Sequence, residues 1–377
     1  MTVGIAASEQ PQLVLESPGK AAWTAAPVPA LDGATGPSAG ATGPAADPAG
    51  AALVRPLAVA TCDLDTGVNA SADGVRADAD RPHRSRGALS ERRFPLPLPY
   101  ALGHEFVAEV LEVGPAVTVA RPGDRVAVPF QINCGYCGYC RRGQTGDCGT
   151  VPHVAGYGLG ALGGDWGGAV SDVVRVPFAD AMLVPVPAGV APETVASLDN
   201  LTDGWRTVAP YVGGLGDDRR VLVVGGRSVG LYAVAIARAL DVEVTYLDRD
   251  QHRLAVAEGL GATVGDLDDR AARYPLTVHT SGRERTLLHA IKATDRGGTL
   301  VDTGIFPGDV TLPMLRMYTV GMTLVTGRAQ ARRDIPAVLD LVARGRLDPA
   351  VVTATTAPWD DAAEAWSAHH EKLVVVR

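Results

Sequence analysis

Four of the chain's five cysteines fall in one short run, Cys134, Cys137, Cys140 and Cys148, separated by two, two and seven residues. A thiolate is a strong, soft ligand, and four of them converging from one loop complete the tetrahedral shell of a Zn²⁺ ion. Nothing is left open for a substrate, so this spacing predicts a structural zinc lobe over 134–148. Gly135, Gly138, Gly143 and Gly146 let the backbone turn sharply around such an ion. A disulfide framework belongs to small secreted chains, and this one has 377 residues.

That length accommodates two domains with sizeable cores. The net charge is −8 with no dense basic patch, which argues against nucleic acid as a partner. No apolar run reaches the roughly 18–20 residues that span a membrane, and the N-terminus lacks a basic region followed by an apolar one. Five cysteines without an export signal fit a reducing cytoplasm.

Along the chain, 10–24 reads as two short strands around a Pro18-Gly19 turn, and 25–51 as a mobile insertion of Ala, Gly, Pro, Thr and Asp. Leu53–Ala60 has strand character and delivers Cys62, Asp63, Leu64 and Asp65. A second polar insertion, 67–93, carries several arginines and separates Cys62 from His104. Between Phe106 and Val128 apolar and polar residues alternate between turns, which predicts a small β-barrel-like body, continued by strands at Val170–Val176 and Ala181–Val186. From Pro192 the pattern changes. Helix character over Glu193–Val208 carries Asp199; Val221–Val224 is a buried strand, Leu231–Leu240 a helix and Val242–Leu247 the next strand. Continued alternation to Val301 implies a parallel sheet with helices on both faces. Residues 334–345 and 360–370 read as helices and Lys372–Val376 as a closing strand.

Cys62 and His104 stand at the ends of ordered segments and offer one thiolate and one imidazole. A catalytic zinc needs three protein ligands and an open position. No cysteine is left for the third, and Asp199 is the residue chosen here.

The spaced cysteine lobe, Gly103-His104-Glu105, Gly123-Asp124-Arg125-Val126 and the nucleotide-binding half together resemble the zinc-dependent medium-chain alcohol dehydrogenases. The resemblance implies an α/β chain: a GroES-like β-barrel catalytic domain (1–198 and 324–377), a Rossmann doubly wound parallel sheet (199–323) and a cleft between them. It implies a catalytic zinc on Cys62, His104 and Asp199, with Glu105 beside the metal and Asp65 orienting a ligand. Leu198-Asp199-Asn200 is similar to the Ser-Asp motif of the formaldehyde dehydrogenase branch. It further implies a small-molecule substrate and a homodimer or homotetramer through the Rossmann sheet edge.

The family's Gly-x-Gly-x-x-Gly stands here as Gly225-Gly226-Arg227-Ser228-Val229-Gly230, with Arg227 where the middle glycine lets backbone approach a pyrophosphate. Gly226 takes over that approach in a shifted turn, and Arg227 can pair with a phosphate. Asp248 sits where a carboxylate binds the adenosine ribose and repels a 2′-phosphate, which favours NAD; Arg249 beside it leaves NADP open. By the same resemblance Thr280–Gly282 and Gly304–Phe306, Ile305 included, flank the nicotinamide. Alcohol dehydrogenases keep a hydroxyl two residues after the first zinc cysteine to pass a proton outward, and this chain has Leu64. Thr66, Asp63, Asp203 or a water is then the proton carrier, or the reaction is reduction of a conjugated C=C or iminium bond. A binding protein of the same fold without turnover is the third reading. The 67–93 segment is either a lid over the cleft or a solvated loop, and Trp166 lines the substrate pocket or packs.

Overall fold

A computed structural model describes residues 8–32, 47–63, 65, 98–267, 272–306, 308–353, 355–368 and 370–377. The strands in chain order are β1 (Glu9–Ser17), β2 (Lys20–Pro27), β3 (Ala52–Ala60), β4 (Tyr100–Ala101), β5 (Glu105–Val113), β6 (Arg125–Val128), β7 (Val174–Val176) and β8 (Val184–Pro185). They continue as β9 (Arg220–Val224), β10 (Glu243–Leu247), β11 (Thr263–Gly265), β12 (Tyr274–His279), β13 (Thr294–Asp302), β14 (Thr323–Thr326), β15 (Thr355–Pro358) and β16 (Leu373–Val376).

Two sheets make the first body. The Pro18-Gly19 turn joins β1 to β2 as an antiparallel hairpin, to which β4 adds. The larger sheet runs β15-β16-β3-β5-β6-β8, with β7 also on β3, so the last strand of the chain lies beside the strand that leads to Cys62. Their inward faces bury Leu13, Phe106, Tyr157 and Trp366 in one core. The 25–51 reading is corrected at both ends. Ala25–Pro27 complete β2, and Pro48–Gly50 form a 3₁₀ turn whose Asp47 carboxylate accepts from the Ala49 N–H at 2.9 Å. That turn is held by close backbone approach: a Cβ on Gly114 would lie 2.2 Å from the Pro48 carbonyl. Residues 33–46 and the whole 67–93 reading lie outside the described residues. Ala179–Met182 is a short helix rather than part of a strand, leaving β8 with two residues.

The second body is a six-stranded parallel sheet in the order β11-β10-β9-β12-β13-β14. Its main helices are α1 (Leu198–Val208), α2 (Ser228–Ala239), α3 (Gln251–Gly259), α4 (Glu284–Ala293) and α5 (Met314–Val320); α6 (Ala331–Ala343) and α7 (Ala362–Ser367) follow. Strand β9 is apolar on both faces because both are covered. Val221 and Val223 pack with Leu231, Tyr232 and Ile236 of α2, while Leu222 and Val224 pack with Leu287 and Ile291 of α4. Connections leave β9 and β12 in opposite directions along the sheet, which opens a crevice at their C-terminal ends. Strand β14 is hydrogen-bonded to β13, so a domain boundary at 323/324 passes through a sheet strand. No helix among the described residues is long and apolar enough to cross a membrane.

The helix read over Glu193–Val208 is interrupted: Pro192–Val195 is a 3₁₀ turn, and α1 begins at Leu198. The break places Asp199 in the first turn of α1, where a carboxylate suits the positive end of the helix dipole.

Candidate metal and cofactor sites

Four side chains from three separate elements meet between the two bodies. Cys62 follows β3, His104 precedes β5, Glu105 begins β5 and Asp199 lies in the first turn of α1. One ligand-capable atom of each lies within 4.8 Å of all the others. The surroundings orient them. Asp65 accepts the Cys62 backbone N–H at 2.9 Å and lies 3.9 Å from His104 Nδ1, while His104 Nε2 faces Asp199 at 3.9 Å. The imidazole rests against Phe130, with ring centroids 5.7 Å apart.

Burial sets the electrostatics. It pushes the Cys62 thiol well up, reinforced by Asp65, Glu105 and Asp199, and pulls His104 down. It also raises Asp199, helped by Asp203 and Glu105, and lifts Glu105 to about 8 against the pull of Lys372. Such a concentration of buried acids around a neutral imidazole is relieved by a divalent cation. The buried His104 Nδ1 has no hydrogen-bond partner and faces the Asp65 carboxylate at 3.9 Å, the side on which a ligating histidine usually carries a carboxylate. The residues therefore fit a metal ion.

Lys372 was given no role from sequence, Asn200 entered only as part of the Leu198-Asp199-Asn200 motif, and Asp203 only as one candidate proton carrier. Lys372 is 1% exposed; its ammonium donates to the Thr61 carbonyl, to Asn200 Oδ1 at 2.8 Å and to Glu105 Oε1 at 3.3 Å. The Asn200 N–H reaches Glu105 Oε2 at 3.4 Å. Both Glu105 oxygens are thereby engaged. Asp203, beside Asp199, is held by Arg206 at 2.5 Å. A lysine opening an otherwise apolar closing strand was the available signal for Lys372.

The crevice of the parallel sheet lies alongside. Gly225 and Gly226 follow β9 with φ of +65° and +92°. A Cβ on Gly226 would fall 1.6 Å from Thr280 Oγ1, and one on Gly230 2.5 Å from the Gly225 carbonyl. Only glycine fits either position. Arg227 caps α2, and Ser228 and Val229 form its first turn. Arg227, Ser228, His252, Arg253, Glu371 and Lys372 line one cavity beside this loop. Asp248 follows β10 and is buried; it accepts from Tyr246 Oη, from Arg253 Nε and Nη2, and from the N–H groups of Arg249 and Asp250, at 2.7–3.0 Å. Gly304 and Ile305 follow β13 next to Gly282, with the Gly304 N–H on Asp302 Oδ1 at 3.0 Å and Ile305 exposed. His279, given no role from sequence, is buried at the end of β12, with Nδ1 2.7 Å from Asp302 and Nε2 2.9 Å from Ser281 and Thr286.

The four-cysteine lobe is a second, separate cluster: the Sγ atoms of Cys134, Cys137, Cys140 and Cys148 lie within 4.8 Å of one another, and none is in a disulfide. Backbone N–H groups point at the sulfurs, Cys137 N–H to Cys134 and Gly149 N–H to Cys137 at 3.4 Å each. Burial opposes ionisation of Cys137, but the N–H groups of Cys140 and Gly149 outweigh it and bring this thiol down to about 6. The lobe docks on the start of α6 through Arg328 and Gln330, both bonded to Asp147. Trp166 is half-buried and packs against the first body's core.

Two family models match the chain, an alcohol dehydrogenase GroES-like domain over residues 48–188 and a zinc-binding dehydrogenase over 228–344. A probable zinc-binding alcohol dehydrogenase of Mycobacterium tuberculosis is 31% identical over 294 residues, 74% of this chain and 73% of that one. A glutathione-independent formaldehyde dehydrogenase of Pseudomonas aeruginosa is 38% identical over 173 residues, 44% and 43% of the two chains. The solved alcohol dehydrogenase of Thermus sp. ATN1 superposes with a TM-score of 0.81 at 26% identity, over 97% of this chain and 99% of its own. With a β body, a parallel nucleotide-type sheet and two metal-competent clusters on one chain, the protein belongs to the zinc-dependent medium-chain dehydrogenases, oxidoreductases that work with a nicotinamide dinucleotide.

Proposed function

We propose that Cys62, His104 and Asp199 hold a catalytic zinc ion, that Cys134, Cys137, Cys140 and Cys148 hold a structural one, and that the loop Gly225–Gly230 with Asp248 seats the dinucleotide for hydride exchange with an alcohol or aldehyde. The observation that carries this reading is the meeting of a thiolate, an imidazole and two carboxylates within 4.8 Å, beside the crevice of the parallel sheet. Bound there, zinc would polarise the substrate oxygen and the nicotinamide would give or take the hydride. The chain's own residues do the rest. Asp65 accepts the Cys62 backbone N–H and faces His104 Nδ1, Lys372 and Asn200 hold Glu105 back from the open position, and the first turn of α2 presents N–H groups to a diphosphate. Arg249, Gly304 and Ile305 border the same crevice.

In this reading 1–198 and the C-terminal residues after β14 form the catalytic body, and 199 to the end of β14 the cofactor body. Met314, Leu315 and Tyr318 of α5 are exposed next to β14, the sheet edge. An apolar patch beside unpaired strand groups supports assembly into a dimer across that edge, alone or within a tetramer. Five free thiols support a cytoplasmic setting. The test is the 340 nm absorbance of NADH or NADPH with a panel of alcohols and aldehydes. Turnover that Cys62→Ala abolishes supports the reading; no turnover with any pair removes it.

A further inference from the structure

Helix α2 is twelve residues long, and the side chain of its N-cap residue, Arg227, does not cap the helix. The N–H groups of a first helical turn have no partner within the helix and lie at the positive end of its dipole. One of them is already taken by an anion from the other body: the Ser228 N–H donates to Asp63 Oδ1 at 3.2 Å, and the Ser228 hydroxyl donates to the same oxygen. Ser228 Oγ also lies 2.8 Å from Asn200 Oδ1, whose other neighbour is Lys372. Ser228 is buried and Asp63 half-buried. The carboxylate is thus enclosed beside the glycine loop and is not a side chain drifting in solvent.

We propose that Asp63 is an internal competitor for the cofactor's diphosphate, a stand-in anion that a dinucleotide must displace from the start of α2. The inference rests on the assignment of Gly225–Gly230 as the cofactor loop. A diphosphate reaching this turn needs the Ser228 N–H, and two anions cannot share one buried donor without strong repulsion. Asp63 therefore lowers affinity for every ligand that carries a diphosphate and leaves affinity for a bare nucleoside alone.

The test is calorimetric titration of the full-length protein, as purified with its metal, with ADP, NADH and adenosine. Wild type is compared with Asp63→Asn and Asp63→Gly. Asp63→Asn keeps an acceptor for the Ser228 N–H and removes only the charge, so the fold is retained. The expected result is that ADP and NADH each bind about tenfold more tightly to both variants, a change of about 1.4 kcal/mol, with adenosine unchanged. Without nucleotide the variants should melt lower, because the helix start has lost its counter-charge; a merely structural role would weaken binding and folding together. ADP binding that is unchanged or weaker in both folded variants overturns the proposal, as does an equal gain for adenosine. If neither ADP nor NADH binds any form, the cofactor-loop assignment fails with it, and that outcome is distinguishable from binding that ignores Asp63.

Discussion

Lys372→Met gives the sharpest test of how the metal centre is supported. The ammonium is 1% exposed, and its three contacts, the Thr61 carbonyl, Asn200 Oδ1 and Glu105 Oε1, account for its three protons. Methionine fills a similar volume but makes none of these bonds. Removing one partner of a buried ion pair costs about 3–5 kcal/mol. Glu105, already lifted to about 8 by burial, escapes part of that cost by taking a proton, so the lower end, about 3 kcal/mol, is expected. At about 2–4 °C per kcal/mol for a domain of ordinary size, the melting temperature should fall by roughly 6–12 °C. The deficit should be larger at alkaline than at acidic pH, where a protonated Glu105 no longer needs a countercharge. Scanning calorimetry of wild type, Lys372→Met, Glu105→Gln and the double variant decides the matter. The double variant should recover about 1–3 kcal/mol relative to additivity. A fall of under about 1 kcal/mol for Lys372→Met, or strict additivity, would refute a Lys372–Glu105 pairing.

Other residues make separate predictions. Burial works to raise Asp248, but hydrogen bonds from Arg253, the Asp250 N–H and the Arg253 charge outweigh it and hold the carboxyl below its ordinary value. A depressed acid stabilises the fold above its unfolded value, about pH 4, and that stabilisation is lost as pH falls through the folded value. Asp248→Asn should therefore cost about 1–3 kcal/mol at neutral pH and flatten the acid-side fall in melting temperature. A parallel shift at all pH values would contradict this. Cys140→Ser should release one metal equivalent, read by mass spectrometry of the native protein, while the Cys62 cluster keeps its own. Leu315→Asp with Tyr318→Asp should shift the protein to a smaller species in analytical ultracentrifugation. Leu64→Ser should raise kcat for alcohol oxidation by about tenfold or more if a hydroxyl there carries the proton; no gain assigns the proton to another group.

Much of the fold was legible because periodicity reports burial. The continuous apolar run of β9 marks a strand covered on both faces, and the Pro18-Gly19 turn marks a hairpin. The four-cysteine cluster was readable because all its ligands come from one short run. The remainder depended on long-range placement. Ala and Pro composition at 47–51 suggested mobility, yet the turn there docks on Gly114 through backbone approach, which composition does not encode. Local pattern likewise extended α1 back to Glu193 across a break needed to aim Asp199. Lys372, Asn200 and Ser228 come from distant parts of the sequence, and only the pairing of β16 with β3 sets Lys372 under Glu105. In the loop Gly225–Gly230 the glycine at 226 has a reason that appears only in space: Thr280 Oγ1 lies where a side chain there would begin.

Zinc-edge anomalous diffraction from crystals of the zinc-loaded protein and of its Cys62→Ser variant locates both metals directly. Two anomalous peaks are expected in the wild type, one amid Cys62, His104 and Asp199 and one amid Cys134, Cys137, Cys140 and Cys148. In the variant only the second should keep full height. A single peak at the four-cysteine lobe in the wild type, or a first peak undiminished without the Cys62 thiol, would contradict the assignment of the catalytic centre.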